Sequence, residues 1–246
     1  MVRFDGKVAL VTGGGGSIGS AIAAAFAAEG ATVIVCDIAE PACARTVDAV
    51  RDAGGRAHAA ICDVTQAAAV DAMIAEVLSA HGRLDILVNN AGGIKDARLA
   101  QMTEAQWDEI VDLVLKGAFL LSRASIEALK QTRGRIVNIG SMSYRGNIGQ
   151  ANYSAAKAGL VGLTKALGLE FARHGVTVNL VAPGLVAGPS LDALGEDVAA
   201  RLAKVIPMGR PATGAEIAHA VLFFADAASA PITRQILHVS GGHEGF

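Results

Sequence analysis

The sequence contains few cysteines, and those present form no recognisable pattern. Cys36, Cys43 and Cys62 lack the spacing of metal ligands, and an odd number of cysteines without a secretory signal argues against a disulfide framework. We interpret all three as small buried apolar residues, with a reactive or regulatory thiol as the alternative. The sequence therefore predicts no metal site.

An excess of charge of one sign is also missing. The chain has 21 basic and 23 acidic residues, a formal net charge of -2, and no run of lysines or arginines. Nucleic acids and anionic membrane surfaces attract proteins that carry a basic patch, so we expect neither as a partner. We expect a small molecule instead.

Long hydrophobic runs are absent as well. No stretch offers about 18 apolar residues free of glycine, proline and charge, which argues against a transmembrane helix. The first twelve residues carry Arg3, Asp5 and Lys7 and only a short apolar run, unlike a signal or transit peptide. The sequence predicts a cytoplasmic protein.

Short β-branched runs alternate with longer segments of helical period along the whole chain. Such alternation predicts βαβ units with right-handed crossovers. We therefore predict one domain over residues 1–246, a doubly wound Rossmann fold of the α/β class whose seven-stranded parallel sheet has helices on both faces. The loop-rich segment 184–211 is predicted to be a lid over the substrate. The candidate strands are KVALVT, ATVIVCD, RAHAAICD, LDILVNN, GRIVNIG, VTVNLVAP and QILHVS.

The first predicted strand runs into a glycine-rich turn and then into an alanine-rich helix. The turn reads TGGGGSIG over residues 12–19. Glycine lets the backbone approach a pyrophosphate, whose charge the free N–H groups and the dipole of the helix stabilise. For such a motif alone, a plain tight connection between strand and helix is the alternative.

Two acidic residues end the second and third predicted strands. Asp37 is placed where a carboxylate accepts hydrogen bonds from ribose hydroxyls and repels a 2'-phosphate. Because residues 12–20 contain no arginine or lysine to neutralise such a phosphate, we expect NAD rather than NADP as the cofactor. The Asp63 carboxylate either caps a helix before Thr65 or contacts the adenine.

Tyr153 and Lys157 are one helical turn apart, so their side chains share a helix face. An ammonium close to a phenol stabilises the phenolate, and we expect Lys157 to lower the pKa of Tyr153 towards the range of a general acid or base. Ser141, at the end of a predicted strand, could donate a hydrogen bond to the substrate oxygen. An ordinary helix with an exposed Tyr and Lys is the alternative, because this spacing is common.

Taken together, these residues resemble the short-chain dehydrogenase/reductase family over essentially the whole chain, and in particular its 3-oxoacyl reductase-like branch. Thr12-Gly13 with Gly19 resembles the family's cofactor turn and Asn89-Asn90-Ala91-Gly92 its N-N-A-G segment. Ser141, Tyr153 and Lys157 resemble its catalytic trio. Pro183-Gly184 and Gly241-Gly242 match further family positions.

The resemblance implies a role for each of these residues. Tyr153 would be the acid or base, Ser141 would steady the substrate oxygen, and Lys157 would also bind the nicotinamide ribose. The substrate would contact Ile94, Tyr144 and Gln150, and the protein would be a homotetramer. The residues implied to bind the cofactor are Gly13, Ser17, Ile18, Gly19, Asp37, Asp63, Val64, Asn90, Ala91, Gly92, Tyr153, Lys157, Pro183, Gly184 and Val186.

The sequence departs from the family pattern at four positions. Val114 stands where the family has an asparagine that positions a water between the lysine and solvent, and an isopropyl group cannot form hydrogen bonds. Ser17 replaces the middle glycine of the turn, Gly188 a threonine near the nicotinamide, and Arg234 a glycine before the last strand. Arg234 would either alter assembly or be a solvated loop residue.

These observations predict an NAD-dependent oxidoreductase that interconverts a secondary alcohol and a ketone, with Tyr153 as acid or base. The alternative is an NAD-binding sensor or assembly protein that catalyses little, because Val114 replaces the relay asparagine.

Overall fold

The computed structural model describes residues 2–193 and 195–244, and it contains the predicted parallel sheet. Seven strands lie in the order β3-β2-β1-β4-β5-β6-β7, and every neighbouring pair is parallel. The predicted α/β fold class is thus confirmed. The strands are β1 (Val8–Thr12), β2 (Thr32–Asp37), β3 (Arg56–Ile61), β4 (Ile86–Asn89), β5 (Arg135–Ile139), β6 (Thr177–Pro183) and β7 (Ile236–Val239).

Helices connect the strands and cover the sheet. A turn of π-helix, Asp112–Lys116, joins the fourth helix to the fifth. None of the helices that the structure describes is long and apolar enough to cross a membrane. The helices are α1 (Ser17–Ala28), α2 (Glu40–Asp52), α3 (Ala67–His81), α4 (Glu104–Val111), α5 (Gly117–Thr132), α6 (Ala151–Glu170), α7 (Pro189–Asp192), α8 (Glu196–Lys204) and α9 (Gly214–Ala225).

The sheet is buried on both faces because successive side chains of a strand point to opposite sides. In β1, Ala9 and Val11 pack into the core beneath α1, α2 and α9. Val8 and Leu10 pack into a second core beneath α3 and α5. All five residues of β1 are therefore buried, which explains why the strands are continuous apolar runs in the sequence.

The direction of strand addition reverses beside β1. The chain first builds outward from β1 through β2 to β3, and then returns to place β4 on the other side of β1. In open parallel sheets, the carboxyl ends of the two strands at such a reversal diverge and leave a crevice that binds ligands. The glycine turn follows β1 and the N-N-A-G segment includes the end of β4, so both lie at this crevice.

The three cysteines are buried and free, which confirms their interpretation as apolar core residues. Cys36 lies on β2 and Cys62 directly follows the adjacent strand β3, and their thiols form a hydrogen bond. Among the residues described, no group of three or more His, Cys, Asp or Glu side chains could hold a metal ion.

Arg234 adopts a backbone conformation that favours glycine. Its φ is +64°, in the left-handed region, which explains why a glycine is typical of this position in the family. Gly168 of α6 leaves room for it, since a Cβ on Gly168 would lie 2.7 Å from the Cγ of Arg234. The Arg234 side chain is exposed, as expected for a solvated loop arginine.

The segment predicted as a lid leaves the sheet after β6 and contains α7 and α8. Its two ends are held together by backbone hydrogen bonds, from Ala187 N to Ala212 O (2.8 Å) and from Ala212 N to Leu185 O (2.9 Å). Val186 and Ala212 form a parallel bridge there. The segment therefore projects as a closed loop from the carboxyl edge of the sheet.

Candidate active site

The glycine turn brings the start of α1 very close to the end of β1. Gly13 has a φ of +59°, and the N–H of Gly16 donates to the Gly13 carbonyl at 3.1 Å. A Cβ on Gly19 would overlap that same carbonyl, so this position tolerates no side chain. Gly16 caps the helix without a side-chain hydrogen bond, which leaves the first N–H groups of α1 for an anion. The turn therefore fits a pyrophosphate.

The Thr12 hydroxyl joins this turn to the N-N-A-G segment. It is fully buried, donates to the Val88 carbonyl (3.2 Å) and accepts from the N–H groups of Asn90 and Ala91, both at 3.0 Å. The Asn90 amide donates back to the carbonyls of Thr12 (2.8 Å) and Gly13 (3.1 Å). Thr12 and Asn90 thus hold the two walls of the crevice together, a role that the sequence did not reveal.

Asp37 lies beside the glycine turn, as predicted. Its carboxylate accepts hydrogen bonds from the N–H groups of Gly15 and Ala39, both at 3.1 Å. The residue is half-buried at the end of β2, next to the glycine turn at the crevice.

Asp63 caps no helix, which was one of its two alternatives, because the N-cap of α3 is Gln66; it holds the turn that precedes this helix. One carboxylate oxygen accepts from the N–H of Thr65 (2.9 Å) and from its hydroxyl (2.7 Å). The neighbouring Val64 is buried, and its Cγ2 lies 3.0 Å from where a Cβ on Gly117 would be. The Val64 side chain therefore contributes to the core, and any adenine contact would come from its backbone or from the second oxygen of Asp63.

Ser141, Tyr153 and Lys157 are brought together at the carboxyl end of β5. Ser141 follows this strand and forms a hydrogen bond with the Tyr153 phenol, and its Oγ also accepts from the Ser143 N–H at 3.1 Å. The Lys157 Nζ lies 5.5 Å from the centre of the Tyr153 ring and donates to the Ile139 carbonyl at 2.6 Å. The predicted trio is therefore one cluster beside the crevice.

Burial dominates the proton affinities of this cluster. It raises the pKa of Tyr153, the hydrogen bond with Ser141 opposes that shift, and the negative charge of Asp96 adds to it. Burial also lowers the pKa of Lys157 to about 8. The expected lowering of the Tyr153 pKa was wrong for this structure, because the cost of desolvating the phenolate exceeds the effect of the hydrogen bond with Ser141.

A buried polar chain fixes α6 to the sheet. The Asn89 amide donates to the Asn138 side chain (2.8 Å), whose own amide donates to the Thr164 hydroxyl (2.8 Å). Because all three groups are buried, breaking one bond would leave its partner unsatisfied. The chain holds the helix that carries Tyr153 and Lys157 in one position.

Val114 lies in the π-helical turn and packs against the cluster. It is buried with Ile110 and Ala156, and the Tyr153 ring packs on the same group. In this turn the N–H of Gly117 donates to the carbonyl of Asp112, five residues back, in place of the carbonyl of Leu113. Such π-turns change which backbone carbonyls have a donor, and they are frequent at functional sites.

Two of the three predicted substrate contacts, Gln150 and Tyr144, form hydrogen bonds with other side chains of the protein. The Gln150 amide donates to Asp96, and its oxygen accepts from Asn147 at 3.0 Å. The Tyr144 hydroxyl lies 3.1 Å from the His238 Nε2 and accepts from Arg145. Ile94 is 55% exposed and remains available to a ligand.

The segment after β6 returns to the glycine turn. Gly184 packs against Ser240, whose Cα lies 3.0 Å from where a Cβ on Gly184 would be. Gly188 has a φ of +145° and lies beside Ser17, with 3.6 Å between a Cβ on Gly188 and the serine Oγ. This φ explains the departure from threonine, because residues with a side chain rarely adopt it. The N-cap of α1 is Gly16 and not Ser17.

Three features together define the class of this protein. They are a glycine turn that fits a pyrophosphate, an acid at the end of β2, and a Ser–Tyr–Lys cluster across the crevice. Each group lies at the carboxyl edge of one parallel sheet, where α/β enzymes bind dinucleotides. The site is that of a dinucleotide-dependent α/β oxidoreductase.

Comparisons with known proteins agree with this class. A family model described as enoyl-(acyl carrier protein) reductase matches residues 14–244. The (2S)-[(R)-hydroxy(phenyl)methyl]succinyl-CoA dehydrogenase subunit BbsD of Thauera aromatica is 42% identical over 99% of this chain and 98% of its own. The short-chain reductase protein NovJ of Streptomyces niveus is 44% identical over 96% and 93%. The 3-oxoacyl-[acyl-carrier-protein] reductase FabG of Escherichia coli is 41% identical over 98% of both chains.

The chain belongs to the short-chain dehydrogenase/reductase family, whose members are oxidoreductases that bind a nicotinamide dinucleotide.

The contact between Gly19 and Gly13 can be tested with two matched substitutions. Gly19→Ala forces the turn apart, and we expect a loss of about 1–3 kcal/mol in the free energy of unfolding together with loss of NADH binding. Gly162→Ala, in α6, meets no atom within 4 Å and should add about 0.5–1 kcal/mol. Urea unfolding and NADH fluorescence measure both effects. NADH binding by Gly19→Ala as tight as in the wild type would contradict the close fit.

Burial of Lys157 should lower the stability of the folded protein. Its lowered pKa means that the unfolded chain binds more protons between pH 8 and about 10.5, so this residue's contribution rises with pH over that window. We expect Lys157→Met to increase the free energy of unfolding at pH 7 by up to about 3 kcal/mol, and the gain to shrink as the pH approaches 10.5. Urea unfolding at several pH values measures it.

Lys165→Met is the matched control, because Lys165 is exposed on the same helix. It should leave the stability nearly unchanged at every pH. The prediction fails if Lys157→Met is less stable than the wild type at pH 7, or if their difference in the free energy of unfolding does not vary with pH. Either result would show that burying the Lys157 ammonium does not cost stability.

Proposed function

We propose that this protein is an NAD-dependent oxidoreductase that interconverts a secondary alcohol and a ketone on an acyl thioester. The convergence of Ser141, Tyr153 and Lys157 on the wall of the dinucleotide crevice carries the proposal. The thioester is suggested by the names of two relatives, a 3-oxoacyl-[acyl-carrier-protein] reductase and a hydroxyl-bearing succinyl-CoA dehydrogenase.

Each residue of the cluster has one task in the proposed reaction. The Ser141 hydroxyl donates to the substrate oxygen and orients it. Tyr153 gives its phenolic proton to that oxygen during reduction and removes it during oxidation. Lys157 binds the nicotinamide ribose and, while charged, favours the phenolate. The bound nicotinamide supplies the hydride to the carbonyl carbon, or accepts it from the alcohol carbon.

The remaining cofactor contacts follow from the same crevice. The pyrophosphate would lie on the turn between Gly13 and Gly19, with Ser17 and Ile18 offering their N–H groups. Asp37 would hold the adenosine ribose, which favours NAD. On the far wall, the candidates are Asp63, Val64, Asn90, Ala91, Gly92, Pro183, Gly184 and Val186.

Proton delivery in this chain would use backbone in place of the side chain that Val114 lacks. Gly92, Val114 and Lys157 adjoin, since a Cβ on Gly92 would lie 3.7 Å from the Val114 Cγ2 and 3.9 Å from the Lys157 Nζ. The altered pairing of carbonyls in the π-turn supports a water held by backbone oxygens beside the ammonium.

Val114 also supports a second function, an NAD-binding sensor or assembly protein with little catalysis. A water without a fixed side-chain partner would relay protons slowly. The protein would then bind NAD but turn over little substrate. The two functions differ in turnover, which is the quantity measured below.

A homotetramer is part of the proposal as well. Trp107, Phe119 and Phe223 are exposed large apolar residues on three helices, with 39%, 45% and 44% of their surface accessible. Exposed aromatic residues of this kind are enriched in contacts between subunits.

Tyr153→Phe tests the proposed reaction. It keeps the ring and removes only the proton-transfer group, so we expect kcat to fall about 10²–10⁴-fold on alcohols and ketones while NADH still binds. Turnover of a panel of 3-oxoacyl thioesters and simple ketones, followed by NADH absorbance, measures it. Tight NADH binding without turnover by the wild type would support the sensor, and full activity of Tyr153→Phe would exclude the proposed mechanism.

Asp37→Asn tests the cofactor preference. Without the charge, a 2'-phosphate is no longer repelled, so we expect the ratio of kcat/KM for NAD over NADP to fall at least about tenfold, or about 1.4 kcal/mol. Glu40→Gln, an exposed acid three residues further along, removes the same charge away from the turn and should leave the ratio unchanged. A wild type that prefers NADP tenfold would refute the choice of NAD.

A further inference from the structure

A polar clamp of Asp96, Asn147 and Gln150 joins the loop after β4 to the start of α6. The Gln150 Nε2 donates to both carboxylate oxygens of Asp96, each at 3.1 Å, and the Asn147 amide donates to the Gln150 oxygen at 3.0 Å. Gln150 is buried, and both of its polar atoms are used in these bonds. The carboxylate is therefore held at a defined point next to the first turn of α6.

Backbone contacts on either side fix the same loop. The N–H of Ala97 donates to the Gly149 carbonyl at 2.9 Å. The buried Asn152 amide donates to the carbonyls of Lys95 (3.2 Å) and Gln106 (2.9 Å), and its oxygen accepts from the Tyr153 N–H at 2.8 Å. One continuous set of hydrogen bonds thus connects this loop to Tyr153.

Charges of opposite sign approach the Tyr153 phenol from two elements. Lys157 lies one turn further along α6, and Asp96 lies on the loop after β4. The neighbouring α4 packs apolar side chains on the ring, and its Glu109 is neutralised by Lys95 at 3.3 Å. From β5, Ser141 offers a neutral hydroxyl. Asp96 is therefore the acid that opposes Lys157.

We propose that Asp96 is a positioning residue for Tyr153: it fixes the first turn of α6, which carries Tyr153, and holds a negative charge against that turn. This inference deepens the proposed function and rests on it, since it concerns the same acid or base. Burial raises the pKa of Tyr153 and the charge of Asp96 adds to that shift, so both favour the protonated phenol that donates during reduction. The charge also resists alcohol oxidation, which needs the phenolate.

Asp96→Asn removes the charge and keeps one of the two oxygens that accept from Gln150. We expect the pKa of Tyr153 to fall by about half a unit, the size of a screened interaction across a few ångströms. Below the midpoint of the pH profile, kcat/KM for alcohol oxidation should then rise about threefold. Asp96→Glu keeps the charge and should restore the wild-type profile.

A second readout does not depend on turnover. The chain has two tyrosines, so protein labelled with carbon-13 at the phenolic carbon gives two resonances, which Tyr153→Phe assigns. The ionisation of Tyr153 can be followed from its chemical shift in the wild type, Asp96→Asn and Asp96→Glu. Asp48→Asn, which removes an exposed acid on α2, controls for the change in net charge.

The outcomes distinguish the two proposals. A lowered midpoint in Asp96→Asn alone supports the inference, by resonance and by activity. Equal midpoints in the wild type and Asp96→Asn, or an equal shift in Asp96→Glu, overturn it. If the wild type turns over no substrate, the proposed function fails, and the resonance still decides whether Asp96 governs the protonation of Tyr153.

Discussion

Lys157 places its amino group where water is largely excluded and the Ile139 carbonyl accepts its hydrogen bond. Burying a cation in this way is costly, and the lowered pKa of Lys157 measures that cost. Asn138 and Thr164 fix α6 to the sheet, so the lysine remains within reach of the Ile139 carbonyl on β5.

The same edge of the sheet holds the dinucleotide half of the site. The strand order reverses beside β1 and leaves a crevice there. The Thr12 hydroxyl and the Asn90 amide hold together the glycine turn and the N-N-A-G segment, which line this crevice. Gly13 and Gly19 then allow α1 to begin against the end of β1. A cofactor on this turn and a substrate at Ser141 would share one rigid wall, which hydride transfer requires, because the reacting atoms must lie within about 3.5 Å of each other.

The sheet and the main site residues could be predicted from the sequence because their signals are local. Buried strands appear as short apolar runs, and a glycine turn, an acid and a Tyr–Lys pair each have a fixed spacing. The hydrogen bonds of Thr12 and the polar clamp around Gln150 join residues that are distant in sequence, so these contacts are seen only in the folded chain. The pKa of Tyr153 was predicted in the wrong direction because its burial depends on α4, whose packing the spacing does not encode. The φ of Gly188 likewise explains a departure that looked arbitrary in the sequence, whereas the φ of Arg234 explains only why the family has glycine at that position.

The proposed function depends most on hydride transfer to or from the substrate carbon whose oxygen exchanges a proton with Tyr153. The direct measurement is to incubate the protein with a 3-oxoacyl thioester and NADH that carries deuterium at the transferable position, and to locate the label by mass spectrometry and NMR. The account predicts a hydroxyacyl thioester with deuterium on the carbinol carbon. A product without deuterium at that carbon, or bound NADH that yields no product from any thioester or ketone, would contradict it.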